Sequence, residues 1–571
     1  MFLPTTKKEL KSLGWDRPDI ILISGDSYID SPYIGAAVIG KVLLKAGFRT
    51  AIIAQPDINS DEDIKRLGEP RLYWGVTGGC VDSLVANYTA LKKRRKSDDY
   101  TPGGLNNRRP DRAVIQYTNL IRRTFKNTVP IVLGGIEASL RRICHYDFWS
   151  DSVRKSILFD AKADLLVFGM GESTSVEIAN ALNRNQSPEQ IPGICYISKE
   201  RKEDYLELPS FDEVKSNSDR FIEMFNLFYQ NNDPQTAKGL FQKHDSRYLI
   251  QNPPAGYLTG EELDAVHDLD FERDLHPFYK KSGNVKALDT IKFSIPTHRG
   301  CYGECGFCAI SVHQGRTVRW RGEQSILKEA ALIADLPDFK GTITDAGGPT
   351  ANMYGFECKK KLKNGVCPDK RCLFPEVCES LKPNHFPLMT VLQKLKSIKG
   401  VKHVFTASGI RYDLLFADKK NGENYLRQIV NHHVSGQLKI APEHTEKHVL
   451  DLMGKSMGQL LLNFKNKFDA LSKKSGKKQF LTYYFMAAHP GCSESDMQNL
   501  KAYTHENLKT NPEQVQIFTP TPSTYSSLMY YTGRDPFSGK KIFVEKTFAN
   551  RDRQKQIVVK KTGKTWNKKG G

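Results

Sequence analysis

The tightest constraint on this chain is the run Cys301-Tyr-Gly-Glu-Cys305-Gly-Phe-Cys308. Cysteines at spacings of four and three turn three thiolates toward one point, and thiolates are the ligands of iron–sulfur clusters. A cubane normally takes four ligands, so three from the protein leave one iron open to bind a substrate or cofactor and pass it an electron. A half-built zinc site is the competing reading, but structural zinc wants four tetrahedral ligands, often as two close pairs. Inert buried thiols have no reason to gather in a glycine-rich loop. The run reads as a three-thiolate cluster site.

The chain has 571 residues and eleven cysteines. It contains no apolar stretch near the roughly 20 residues a membrane helix needs. Its start, MFLPTTKKELKSLGWDRPD, has no apolar signal region. A soluble, cytoplasmic protein with no membrane partner is expected. In that reducing compartment cysteines serve as ligands, nucleophiles or small core residues rather than as disulfides. Cys358, Cys367, Cys372 and Cys378 fall in an insertion rich in Lys and Pro, at about residues 355–385. Four thiols in one hydrophilic loop form a candidate second metal site, for an auxiliary iron–sulfur cluster or a zinc, although the tight CxxC pairs of zinc ribbons are missing. Cys80, Cys144, Cys195 and Cys492 are scattered and read as buried or incidental.

At 39% hydrophobic and 26% charged residues the body can build real cores. Asp19–Ser24, Thr50–Ala54, Leu72–Thr77, Val129–Leu133 and Asp164–Phe168 are short apolar runs suited to buried parallel strands, with helical segments between them. Residues 1–199 therefore read as an α/β domain with a doubly wound sheet. Ligands in such sheets sit beyond the carboxyl ends of the strands. Three loops lie there: one with Asp30, Pro32 and Gly35, one with Gly134, Gly135 and Glu137, and Gly169–Glu172. Residues 200–286 are polar and mixed, and read as a connecting segment. From 287 to 545 six further strand–helix units point to a full or partial barrel of parallel strands, with chemistry at the carboxyl ends.

The net charge of +20 is uneven, since Lys540–Gly571 alone carries eleven basic and two acidic residues. Residues 546–571 read as a basic, disordered tail able to contact RNA through counterion release.

The cysteine run, with an aromatic before its last cysteine and a strand before it, resembles the radical S-adenosylmethionine (radical SAM) superfamily. Ser294–Ile310, Asp345–Tyr354, Lys439–His444, Thr519–Pro536 and Asn252–Tyr279 resemble the YgiQ-type radical SAM proteins over nearly the whole chain. The resemblance implies a partial (β/α)6 barrel with a 4Fe–4S cluster on Cys301, Cys305 and Cys308. The open iron would chelate SAM, and one electron would cleave it to methionine and a 5′-deoxyadenosyl radical, while the substrate and the catalytic residues acting on it stay unassigned. A low-potential donor such as flavodoxin or ferredoxin is implied. Gly347, Gly348 and Pro349 stand where a GGE-like turn receives the methionine amino group. Ser408 and Arg411 stand where polar groups meet the SAM carboxylate or the substrate, and Glu443 where a ribose hydroxyl can be bonded. The N-terminal domain resembles the Rossmann-like cobalamin domains of the superfamily, but Pro32 replaces the axial histidine of their D-x-H-x-x-G motif, so cobalamin is doubtful. Two other functions compete: a non-catalytic iron–sulfur electron-transfer or sensor protein, and an RNA-modifying enzyme that uses the basic tail.

Overall fold

The computed structural model describes residues 1–455 and 458–559. The apolar runs form Ile20–Ser24 (β1), Thr50–Ala54 (β2), Tyr73–Thr77 (β3) and Ile131–Gly134 (β4). In β1, Ile21 and Ile23 join the core under one face of the sheet, and Ile20 and Leu22 the core under the other. Both faces are covered, so the strand is apolar throughout instead of alternating. A ribbon of His145–Asp147 (β5) and Ser152–Arg154 (β6) stands apart, and Leu165–Val167 (β7) joins β4. The parallel order is β2-β1-β3-β4-β7. The winding reverses between β1 and β3, which opens a crevice at their carboxyl ends.

Residues 200–286 are not a separate connecting segment. Ile194–Ser198 (β8), Leu206–Leu208 (β9), Leu240–His244 (β10) and Arg247–Gln251 (β11) extend the same sheet to nine strands, in the order β7-β8-β11-β10-β9. Their polar composition conceals this because buried side-chain amides complete the local hydrogen bonding. Gln242 accepts from Cys144 N–H at 3.0 Å and donates to Pro209 O at 2.8 Å. Past β11 the chain straps back across the first loop, with a bridge between Ile29 and Leu275.

The second half begins with Ser294–Pro296 (β12). His298–Arg299 (β13) then pairs with Arg319–Trp320 (β14), so an antiparallel ribbon closes the base of the cysteine loop. Thr342–Ile343 (β15), Asp345–Gly347 (β16), His403–Val404 (β17), Gln437–Glu443 (β18), Phe480–Ala487 (β19) and Val515–Ile517 (β20) follow. β12 pairs with β16, β15 with β17, and β18-β19-β20 form a third group, every pair parallel. The second barrel strand is thus split at Thr344 and shared between two neighbours. The result is an open arc of parallel strands around its own core, a partial barrel.

The tail expected to be disordered from 546 begins with a docked helix, Phe548–Val559. Gln554 accepts from Ala488 N–H at 2.8 Å and donates to Cys492 O at 3.1 Å. The helix is held partly by such polar contacts, so it carries little hydrophobic pattern. The rest of the expected tail lies outside the described residues. Among the described residues no helix is long and apolar enough to cross a membrane.

Candidate active site

The cysteine loop leaves the carboxyl end of the first barrel strand and returns through β14. Gly303 N–H points at Cys301 Sγ, 3.3 Å away. A Cβ on Gly303 would stand 3.2 Å from Cys301 Sγ, 3.5 Å from Cys305 Sγ and 3.0 Å from Arg411 Nη1. A side chain there would crowd the sulfurs, so glycine keeps the space beside them open. Arg411 Nη1 lies 3.8 Å from Cys305 Sγ. Burial, and then the Cys305 thiol, push Cys301 up, while Gly303 N–H, Arg411 and Thr350 pull it down. Cys308 is pushed up to about 12 by burial and the other two thiols. The three cysteines are half-buried; Cys301 feels the Cys305 thiol, and Cys308 feels both of the others.

The other expected site residues gather around this loop. Gly347 O is occupied, accepting from Thr297 N–H at 2.7 Å and from the Thr297 hydroxyl at 3.1 Å, whereas Gly348 and Pro349 line the neighbouring cavity. Ser408 is held by Asp345, through its N–H at 3.1 Å and through its hydroxyl. Arg411 directs Nε and Nη2 at Asp413 and leaves Nη1 for the cysteine side. Glu443 ends β18 in the left-handed region, at φ 67°, and its carboxylate takes Lys455 Nζ at 3.1 Å. In the insertion, Cys358 is buried, Cys372 and Cys378 are half-buried, and Cys367 is exposed.

The carboxyl ends of the sheet and of the barrel face one cavity of 460 Å³. Pro32, Gly35, Gly134, Gly135 and Gly169–Glu172 line it from the sheet side. Asp30 does not reach it: the carboxylate is buried against Lys41 Nζ at 2.9 Å and accepts Glu272 N–H at 3.0 Å. Gly135, at φ +78°, packs where a Cβ would fall 2.3 Å from Thr77 Oγ1, so its smallness serves the packing of the loop. Glu172 pairs across the cavity wall with Arg299, two residues before Cys301.

Sequence reasoning missed three cavity-lining histidines, one of which, His313, has its Nδ1 3.1 Å from Ser139 Oγ. His267 and His298 are buried, and His267 Nδ1 and His298 Nε2 have no hydrogen-bond partner. Burial holds His298 down at about 4, and burial with nearby Arg321, Arg299 and Arg273 holds His267 well below the usual range. Lone histidines in polar stretches carry no spacing signal, so only the fold brings them together.

A three-thiolate loop at the start of a partial barrel, joined to a doubly wound sheet, defines a radical SAM protein. The family model described as Radical SAM N-terminal matches residues 2–294. The UPF0313 protein FN0734 of Fusobacterium nucleatum subsp. nucleatum is 58% identical over 98% of this chain and 99% of its own. A UPF0313 protein of Thermotoga maritima is 49% identical over 99% of this chain and the whole of its own. Among solved structures, the radical SAM methyltransferase TsrM from Kitasatospora setae, with cobalamin and a [4Fe-4S] cluster bound, aligns with 90% of this chain and 77% of its own. Its TM-score is 0.51 at 14% identity, a likeness of fold. The chain belongs to the UPF0313 family of radical SAM proteins.

Proposed function

We propose that the protein is a radical SAM enzyme that holds a 4Fe–4S cluster on Cys301, Cys305 and Cys308, cleaves SAM reductively, and keeps its substrate in the cavity between sheet and barrel. The observation that carries this reading is the three-thiol loop at the barrel's carboxyl end, beside Gly348 and Pro349 on the cavity wall. The residues fit a cluster. The half-buried sulfurs share one loop, glycine leaves their approach open, and a guanidinium stands by to offset negative charge. When bound, the cluster supplies the electron that breaks the sulfonium carbon–sulfur bond and yields a 5′-deoxyadenosyl radical; the protein's part is binding and orientation.

With Gly347 O already occupied, Gly348 and Pro349 carbonyls are left to receive the methionine amino group. Arg411 keeps positive charge where the SAM carboxylate would lie, and Glu443 accepts from a ribose hydroxyl. His267 Nδ1 and His298 Nε2 offer the substrate two fixed hydrogen-bonding points in an otherwise mostly apolar cavity. The sheet edge serves the substrate rather than a corrinoid, because Pro32 has no lone pair for cobalt and Asp30 is tied to Lys41. Protein incubated with hydroxocobalamin and desalted should retain little corrinoid absorbance; stoichiometric retention contradicts this assignment. For SAM itself, the test is EPR of the anaerobically reconstituted, reduced protein. SAM should shift the cluster's g-values, and Cys301→Ala should abolish that SAM-dependent shift. A fully loaded cluster indifferent to SAM would count against the reading.

A further inference from the structure

The insertion folds around a small core of its own. Tyr302, Val318, Met353, Phe356, Leu373 and Cys358 are buried in it, and Cys301 and Cys372 pack against it. Tyr302 stands between the two cysteine sets. It follows Cys301 in the chain, and its ring carries Lys361 Nζ at 4.6 Å. That same ammonium lies 3.7 Å from Cys372 Sγ. Lys361 is buried and also pairs with Glu357 at 2.9 Å. Cys378 N–H donates to Cys372 O at 2.9 Å and closes the turn between these two cysteines. Three of the four insertion cysteines are thus drawn in, and Cys367 stays exposed.

We propose that Cys358, Cys372 and Cys378 hold a second iron–sulfur cluster, separated from the first by the Tyr302 side chain, and that Cys367 is not among its ligands. Burial pushes the Cys372 thiol up, and the Lys361 ammonium stands where it would offset the charge of a ligating sulfur. A single tetrahedral zinc at 2.3 Å from each sulfur would need the sulfurs about 3.8 Å apart. Among the described residues, the one group of three or more ligating side chains whose donor atoms lie within 4.8 Å of one another is Glu446, His448 and Asp496. Neither cysteine triplet therefore stands at the close spacing of a single tetrahedral ion, which leaves the polynuclear centre proposed here. The second site stands independently of the SAM reading.

Iron content of protein reconstituted anaerobically with iron and sulfide tests the proposal. Iron per chain should fall from about eight to about four in the Cys301→Ala, Cys305→Ala, Cys308→Ala triple variant, and to near zero when Cys372→Ser is added. Cys372→Ser alone should keep about four irons, held by the first cluster, whereas Cys367→Ser should keep about eight. With dithionite as reductant, the intact protein should show magnetic coupling between two reduced clusters, and Cys372→Ser should lose it. A triple variant that is folded by circular dichroism yet free of iron overturns the proposal. So does zinc in place of iron, or loss of four irons in Cys367→Ser. Should the triple variant fail to fold, an iron content unchanged by Cys372→Ser overturns it equally.

Discussion

The sheet and the barrel turn the carboxyl ends of their strands toward the same cavity, and they treat charge there in opposite ways. On the sheet side the loops are held by buried ion pairs. Arg109, 1% exposed, lies 2.8 Å from Asp26 and 3.0 Å from Asp98. Arg141 holds Asp82, and Lys41 holds Asp30. On the barrel side three thiols share one guanidinium already committed to Asp413, and His298 Nε2 has no partner. Buried polar groups are ordinarily satisfied, and the exceptions mark places that await something. Charge on the sheet side is balanced inside buried pairs, although Asp30 Oδ1 and Ser27 Oγ keep no hydrogen-bond partner, whereas the barrel loop gathers its thiols beside a single cation.

The largest effect should come from the barrel side. Cys301→Ala, Cys305→Ala or Cys308→Ala should each reduce SAM cleavage to background while thermal stability of the cluster-free protein stays near that of the unaltered cluster-free chain. Unchanged cleavage in any one variant removes that cysteine from the ligand set. The sheet side should respond in the converse way. Arg109→Ala leaves two buried carboxylates without their cation and should cost about 3–5 kcal/mol in denaturant unfolding. Iron per folded chain should stay the same; a coupled loss of iron would break the contrast.

The join between the halves should lie between these limits. Glu172→Gln removes the charge that Arg299 pairs with, and because Arg299 is partly exposed the cost should be about 2 kcal/mol. A loss as large as that of Arg109→Ala would place the join inside the scaffold. The acid response of each imidazole is of similar size to the Glu172→Gln cost. Burial lowers His145 in the first half to about 3 and His298 in the second to about 4, against an ordinary 6.5. Each binds its proton more readily when unfolded, so the stabilisation is present above about 6.5 and is lost as pH falls. The slope should be about 1.4 kcal/mol per pH unit for each such imidazole. Unfolding curves at several pH values between 7 and 5 should steepen accordingly, and His298→Gln should remove one proton's share. A slope unchanged by that substitution would mean His298 is charged in the folded chain.

How far the sequence reveals these regions follows the same divide. β1 to β4 are legible because strands covered on both faces must be apolar throughout, and the cysteine run is legible because ligand spacing is local. β10 and β11 are not, since buried amides such as Gln242 and Gln251 stand where apolar residues are expected. The helix Phe548–Val559 is concealed by basic residues, although Arg551 is buried and donates to Phe518 O. The approach of Arg411 to Cys305 and the gathering of Cys358 and Cys372 around Tyr302 depend on segments far apart in the chain. Spacing alone cannot show which of several polar residues at a strand end is already engaged.

The most direct test of the central claim is the product of SAM. Protein reconstituted with iron and sulfide, reduced with dithionite under strict anaerobiosis and incubated with SAM, should release 5′-deoxyadenosine and methionine in equal amounts. The Cys305→Ala variant should release neither. A wild-type chain that carries its full cluster, accepts electrons, and leaves SAM intact would contradict the account and make the protein an iron–sulfur electron carrier or sensor.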